Sequence, residues 1–313
     1  MSKRGERNIV VTALKDAVPY IRMFKHKVFL IKVGGAVFAE AESSKHMLEQ
    51  IGILHEVGIR VVLVHGGGPQ ATRLAESLGV PSRFVAGRRV TDARSLEVTT
   101  MVLNGLVNTR ILAACRDLGI PAVGMSGVDA GLIEASRRPP VALEDAGEQT
   151  VDYGYVGDIE KINSEVVAKQ LEAGYLPVIS PLSADCGGTL LNINADTVAA
   201  ALATDLRAEK LIIATGAPGV LEDENDPQSL VSYMDLEGLV KMREKGQLAG
   251  GMAPKAAAIE AAIRGGVGRV HVISHDVPDS LLLEVFTNEG TGTLVVANTA
   301  TLSAAEQAAD TAH

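Results

Sequence analysis

The 313-residue chain has no tryptophan, five phenylalanines and five tyrosines, so aromatic stacking cannot build its core. Two cysteines, Cys115 and Cys186, are too few for a disulfide framework or a thiolate metal cage and point to a reducing, cytoplasmic compartment. No His, Cys and Asp cluster carries metal-ligand spacing, and no metal site is expected. Positive charge is in deficit: Lys+Arg number 29 against Asp+Glu 38, a formal charge of −9. Without a basic field there is nothing to hold a phosphate backbone, which excludes nucleic acid as a general partner. No apolar run approaches the roughly 18–20 residues needed to span a bilayer. The opening MSKRGERN runs into Lys15, Asp16 and Pro19, unlike a secretory signal. What remains is a soluble protein away from the membrane.

What is present is aliphatic. Apolar residues make up 47% of the chain, and 32 glycines punctuate short runs of Val, Ile and Leu. Such runs read as buried parallel strands covered by helices. At about 150 residues per domain, the length suggests two units. Val28–Val33 is a strand closed by Gly34-Gly35, and Met47, Ile51, Leu54 and Val57 mark one face of the helix that follows. Arg60–His65 is the next strand, ended by Gly66-Gly67-Gly68-Pro69, where proline suits a first helical turn. The rhythm returns at Pro121–Val123, Leu176–Ser180, Lys210–Thr215 and Arg269–Ser274, which predicts an α/β fold with a mainly parallel sheet. Glu134–Tyr155, with Pro139-Pro140, reads as a hairpin insertion or mobile loop, and 183–190 as a tight hairpin. Ile9–Phe24 forms an apolar helical stripe ahead of the first strand, which Pro19 should bend or restart. Residues 299–313 are expected to be a disordered tail.

Two glycine turns follow strands, and backbone N–H groups at such turns form anion sites because no Cβ obstructs approach. Either turn alone is equally well a plain tight turn. Gly66 to Ala71 also fits a dinucleotide pattern, with Asp92 26 residues on, and the nucleotide-triphosphate P-loop pattern is absent. Lys32 stands out: a lysine inside an apolar strand is costly unless paired, and at that position it faces the glycine turns. Asn192, Asn194 and Asp196 alternate before an apolar helix, more polar groups than one cap requires. Lys255, after Gly250-Gly251, reads alone as a surface lysine, and Arg88-Arg89 as a surface pair or, with Thr91 and Asp92, an anion-binding turn. No nucleophile–base pair is evident.

Taken in order, KVGG (Lys32–Gly35), VHGGGPQ (Val64–Gln70), GRRVTD (Gly87–Asp92), MVLNGLVN (Met101–Asn108) and VGMSGVDAGLI (Val123–Ile133) resemble the amino-acid kinase family. YGYVGDIEKIN (Tyr153–Asn163), LNINADTVA (Leu191–Ala199), AEKLII (Ala208–Ile213), GGMAPK (Gly250–Lys255) and LLLEVFTNEGTGT (Leu281–Thr293) continue it, and within the family the match is to members that phosphorylate N-acetyl-L-glutamate. The resemblance covers residues from about 10 to 298. It implies an αβα sandwich: an N-terminal helical extension (1–26), a lobe for N-acetyl-L-glutamate and dimerisation (27–206), and a lobe for ATP (207–298). By resemblance, Lys32 and Lys255 flank the phosphoryl group in transit and Asp196 holds both lysines. Gly34, Gly35, Gly66, Gly67 and Gly68 donate backbone N–H groups, while Arg89, Asn192 and Asn194 bind substrate. Thr215, Gly216, Gly219, Gly251 and Met252 fall at the nucleotide, with Mg²⁺ carried mainly by its phosphates.

The extension resembles that of hexameric members, trimers of dimers inhibited by L-arginine, whose arginine site matches Tyr20, His271, Glu284, Gly290 and Gly292. Two departures stand out. Gly216 replaces the aspartate of the family's T-D-x-x-G, and Ser274-His275-Asp276 replaces a glycine-containing turn. The rival implications are an aminoadipate-type kinase of lysine synthesis, a non-catalytic arginine-sensing or partner-binding module, and a nicotinamide-dependent enzyme resting on Gly66–Ala71.

Overall fold

The computed structural model describes residues 3–85, 88–142, 150–226, 228–248, 250–287 and 290–302. Helix α1 (Lys3–Phe24) leads to β1 (Val28–Val33), α2 (Ala41–Glu56), β2 (Arg60–His65) and α3 (Gly68–Ser77). A ribbon of β3 (Arg83–Val85) and β4 (Arg88–Val90) precedes one continuous helix in three parts. These are α4 (Ala93–Thr100), a π-type segment (Met101–Asn108) and α5 (Thr109–Asp117). Next come β5 (Ala122–Ser126), β6 (Ile133–Arg137), β7 (Val141–Ala142), β8 (Thr150–Val151), β9 (Gly157–Ile162) and α6 (Glu165–Glu172). Then follow β10 (Leu176–Ser180), β11 (Leu182–Ala184), β12 (Leu190–Asn192) and α7 (Ala195–Asp205). The remainder holds β13 (Lys210–Thr215), β14 (Tyr233–Asp235), α8 (Leu236–Glu244), α9 (Met252–Arg264), β15 (Arg269–Ser274), α10 (Ser280–Phe286) and β16 (Thr293–Val296).

The main sheet has eight strands in the order β14-β16-β15-β13-β1-β2-β10-β5. Every neighbouring pair is parallel except β15 with β16. It runs unbroken past residue 206, because β1 pairs with β2 on one side and with β13 on the other.

Strand alternation sorts side chains to two faces. Phe29, Ile31 and Val33 pack with Val61, Leu63, Ile212 and Ala214 under residues of α2, α5 and α10. Leu30, Val62, Val64, Leu211 and Ile213 pack on the opposite face with α7 and α9. A sheet covered on both faces explains why its central strands are apolar at nearly every position. A smaller sheet, β12-β11-β6-β9, joins the α7 side of the core through Ile133, Ala135 and Leu191.

Three expectations need correction or completion. Helix α1 runs through Pro19 without restarting. Its Phe24, buried, and Tyr20 pack on the core, which offsets the backbone hydrogen bond that proline forfeits. The Glu134–Tyr155 insertion is a hairpin, with β7 and β8 paired, although 143–149 lie outside the described residues. Of the supposed tail, Thr299–Thr301 form a short helical turn and Leu302 is buried, while 303–313 lie outside the described residues. One described helix, Ala93–Asp117, is long and apolar enough to cross a bilayer. Its Val98, Val102, Val107 and Ile111 are buried in the core, which accounts for its apolar face within the fold.

Candidate active site

The carboxyl ends of β1 and β2 open onto one crevice, and chain order reverses at β1, the position where open α/β sheets bind ligands. On β1, Lys32 shares a face with Leu30, so its side chain projects toward α7 and α9. Asp196 in the first turn of α7 receives it, with Lys32 Nζ 2.7 Å from Asp196 Oδ1. Asn194 sets that turn: its side chain caps α7 by accepting from the N–H groups of Asp196 at 2.8 Å and Thr197 at 3.2 Å. From the first turn of α9, Lys255 Nζ stands 3.8 Å from Asp196 Oδ2 and donates to the Gly251 carbonyl at 3.0 Å.

The three side chains are 8%, 5% and 15% exposed for Lys32, Asp196 and Lys255. Lys255 is therefore no surface lysine. Burial pulls its pKa below the ordinary lysine value; Asp196 opposes that shift and the neighbouring Lys32 charge reinforces it. Burying two ammonium groups around one carboxylate is a poor way to stabilise a fold and a good way to prepare a site for an anion.

The glycine turns face each other. A Cβ at Gly35 would lie 2.8 Å from Gly67 Cα and 2.9 Å from Gly67 N, and one at Gly66 would lie 3.2 Å from Gly35 N. Glycine is required here by close approach. Gln70 clamps the pair by donating to the Gly35 carbonyl at 2.6 Å.

A cavity of about 550 Å³ opens from these turns, bounded by Lys32, Asp196, Arg88, Arg89, Arg138 and Asn192, with Gly34, Gly35, Gly66, Gly67, Gly68 and Asn194 also in its wall. Arg89 is pre-set: it donates to Ser82 Oγ at 2.7 Å and Thr72 Oγ1 at 2.6 Å, and its guanidinium lies 4.7 Å from the Phe84 ring centroid. The Asn192 amide reaches Thr91 Oγ1 at 3.4 Å. Arg138, paired with Asp158, was missed by the sequence reading because it sits in the proline-marked insertion. Its partner lies 20 residues away and no local pattern announces it. Asp196 is the one carboxylate among the described lining residues and is engaged by two lysines, so these residues do not form a cage for a divalent cation. No group of three or more metal-ligating side chains occurs elsewhere among the described residues.

The expected nucleotide residues lie outside that cavity wall. Thr215 and Gly216 end β13, Gly251 precedes α9, and Met252 opens it. Gly219 serves packing, since a Cβ there would lie 2.6 Å from Leu230 Cδ1 and Thr293 Oγ1. The two departures noted in the sequence are neighbours: a Cβ at Gly216 would stand 3.7 Å from His275 Nε2 and 3.9 Å from Asp276 Oδ2.

The residues matched to an arginine site form a second buried cluster on the other face of the sheet. His271 Nδ1 lies 2.5 Å from Glu284 Oε1, and His271 Nε2 lies 3.1 Å from Lys210 Nζ, which sits 5.1 Å from the Phe24 ring centroid. Glu284 Oε2 accepts from Thr291 N at 2.8 Å, and Gly290 takes φ +55° beside it. Gly292 lets β16 approach β15, for a Cβ there would lie 2.0 Å from the Val272 carbonyl. Burial, then the Lys210 charge, push the His271 pKa down. Burial, the largest single influence, works to raise Glu284, but the His271 bond and charge, the Thr291 N–H and the Lys210 charge together hold the carboxyl low. Tyr20 packs on the same core face from α1. Lys210 was invisible in the sequence as a member of this cluster.

A parallel sheet with paired glycine turns, two lysines on one carboxylate and an arginine-lined cavity defines a phosphoryl-transfer class of protein. Residues 27–274 match the amino acid kinase family, and the chain belongs to that family. Within it, the chain is 49% identical to the acetylglutamate kinase of Myxococcus xanthus over 288 residues, which is 91% of this chain and 94% of that protein. The acetylglutamate kinase of Symbiobacterium thermophilum is 45% identical over 283 residues, 90% of this chain and 96% of the relative. Among solved structures, N-acetylglutamate synthase from Neisseria gonorrhoeae complexed with coenzyme A and L-arginine superposes with a TM-score of 0.78 at 28% identity. The match covers 92% of this chain but 65% of the synthase, so the chain spans less than two thirds of that protein.

Proposed function

We propose that the chain transfers the γ-phosphoryl group of ATP to the γ-carboxylate of N-acetyl-L-glutamate, forming N-acetyl-L-glutamyl 5-phosphate for arginine synthesis. The carrying observation is the convergence of Lys32 and Lys255 on Asp196 beside two facing glycine turns. A γ-carboxylate is already anionic at neutral pH, so the attack needs no general base, and the site provides none. Catalysis then rests on positioning and on charge neutralisation at the three equatorial oxygens. Lys32 and Lys255 flank those oxygens, Asp196 orients the lysines without reacting, and glycine N–H groups complete the cradle, except that of Gly66, which the Val33 carbonyl holds at 3.0 Å. Arg89, Asn192 and Arg138 bind the substrate's α-carboxylate and acetyl group at the far end of the cavity. ATP lies over Thr215, Gly216 and the start of α9, and Mg²⁺ travels with its phosphates.

The Tyr20, Lys210, His271, Glu284 and Gly290 region takes L-arginine, with Glu284 as a bidentate partner for the guanidinium. Helix α1 joins dimers into a hexamer through its exposed face, where Val11, Leu14 and Met23 stand 52%, 63% and 62% exposed. The test is ATP-dependent acyl-phosphate formation trapped as a hydroxamate, with N-acetyl-L-glutamate and with arginine at zero and about 5 mM, above common KM values. Product that falls with arginine supports enzyme and inhibitor together. Product indifferent to arginine retains the kinase and removes the inhibitor. Folded protein that binds arginine without forming product overturns the kinase.

A further inference from the structure

Beneath the second glycine turn, on the sheet face opposite Lys32, lies a buried polar pair that the reaction as described does not use. His65 ends β2 with no exposed surface, and Asn108 closes the π-type segment. Asn108 Nδ2 lies 3.1 Å from His65 Nε2 and donates to the Val178 carbonyl at 3.0 Å. A carbonyl only accepts, so the amide nitrogen must face Val178, which fixes the orientation of Asn108. Its second hydrogen then goes to His65, and His65 Nε2 must accept. Gly124 makes room for this, since a Cβ there would come within 2.1 Å of Asn108 Oδ1. The ring proton is thereby confined to Nδ1, which lies 3.1 Å from the Gly66 carbonyl and donates to it. Burial lowers the His65 pKa to about 4, only partly opposed by the Gly66 bond, so the ring is neutral in the cell and has one tautomer to choose.

The Gly66–Gly67 peptide is trans and planar, so its carbonyl and its N–H point in opposite directions. Holding the carbonyl on His65 turns the Gly67 N–H outward. Gly67 N faces Gly35, 2.9 Å from the place a Gly35 Cβ would fill, at the wall of the cavity. The π-type segment supports the arrangement. Its Asn104 accepts from Ser180 Oγ at 2.5 Å while Asn108 reaches Val178, so both asparagines grip β10, and such segments recur at functional sites.

We propose that His65 and Asn108 are positioning residues: Asn108 selects one imidazole tautomer, and that tautomer aims the Gly67 N–H at the phosphoryl group in transit. The proposal rests on the phosphoryl-transfer reading, and two measurements separate their failures. In ¹⁵N-histidine-labelled protein, long-range proton–nitrogen correlations give the His65 tautomer without any turnover. The Nδ1–H form is expected, and the Nε2–H form overturns the proposal whatever the enzyme does.

The second measurement is kinetic, with N-acetyl-L-glutamate and MgATP. Asparagine places an amide nitrogen near the Nδ1 position and glutamine near Nε2. His65→Asn should keep kcat within about threefold, while His65→Gln and His65→Leu lose roughly 10- to 100-fold with KM little changed, as for a displaced transition-state donor. Equal losses in all three variants, a loss confined to KM, or wild-type kcat in His65→Leu each overturn it. Should the leucine variant fail to fold, the asparagine–glutamine contrast and the tautomer still decide. A wild-type protein with no phosphoryl transfer sinks the kinase reading alone.

Discussion

At the scale of single residues, the most informative feature is an expensive one. An ammonium group in an apolar strand persists only where a charge partner and a purpose coincide, and Lys32 on Asp196 meets both conditions. Lys32→Ala should lower kcat by on the order of 2.7–4 kcal/mol in barrier terms, about a hundredfold or more, as for other transition-state charge stabilisers. Steady-state rates with saturating substrates check this, and unchanged turnover would remove Lys32 from the chemistry. Lys255 contributes its charge only while protonated, below its pKa, and burial sets that pKa beneath the ordinary 10.5. Activity should therefore fall on an alkaline limb lying below that value. Asp196→Asn should move the limb to still lower pH by removing the charge that favours the ammonium form. A pH–rate profile with no alkaline limb would contradict the role.

The lysines and glycine turns were legible because each breaks a local rule, a charge in a strand or glycines where a strand ends. His65 and Arg138 break none. Their meaning depends on Asn108, 43 residues away, and Asp158, 20 residues away.

At the scale of elements, the strands were readable from their β-branched runs, and the hairpins at 141–151 and 182–192 from their turn residues. The π-type segment was not, since its MVLNGLVN composition suits an ordinary helix and its bonds to β10 through Asn104 and Asn108 exist only in the fold. Pro19 misled in the other direction, because packing of the last turn of α1 outweighs a local break. Helix α7 links element to function, for its cap holds the turn that carries Asp196. Asn194→Ala should cost about 1 kcal/mol of stability. It should also reduce kcat more than KM for ATP, because Asp196 loses its fixed position. Denaturant unfolding beside kinetics tests both, and a stable variant with full kcat would separate the cap from the site.

At the scale of the whole molecule, two buried histidines set the acid limit. His65 titrates at about 4 in the fold against 6.5 unfolded, and His271 is also depressed by burial and by Lys210. The unfolded chain binds the extra protons, so the histidine contribution is fully present above pH 6.5 and is lost as pH falls toward 4. For His65 alone the loss is on the order of 3 kcal/mol. Thermal unfolding measured from pH 7 down to 4 should show a steep fall, and a flat profile would mean that these rings are not buried neutral. Deleting α1 should lower the assembled mass and abolish arginine inhibition while the reaction continues, as sedimentation and the hydroxamate assay would report. An arginine-sensitive deletion variant would free the inhibitor site from the helix. The cluster around His271 and Glu284 was legible only through resemblance, and Lys210 not at all, because its members stand on α10, β13, β15 and the loop before β16, and only the sheet's parity gathers them on one face.

The central position of β1 carries one more implication. Its hydrogen bonds run to β2 on one edge and to β13 on the other, over five or more residue pairs each, so a boundary near residue 206 can divide the ligands but not the folding. The half before residue 206 owns the strand that both need. Severed fragments would each expose a raw sheet edge and would regain structure only by finding one another, so the sheet is made and lost as one cooperative unit.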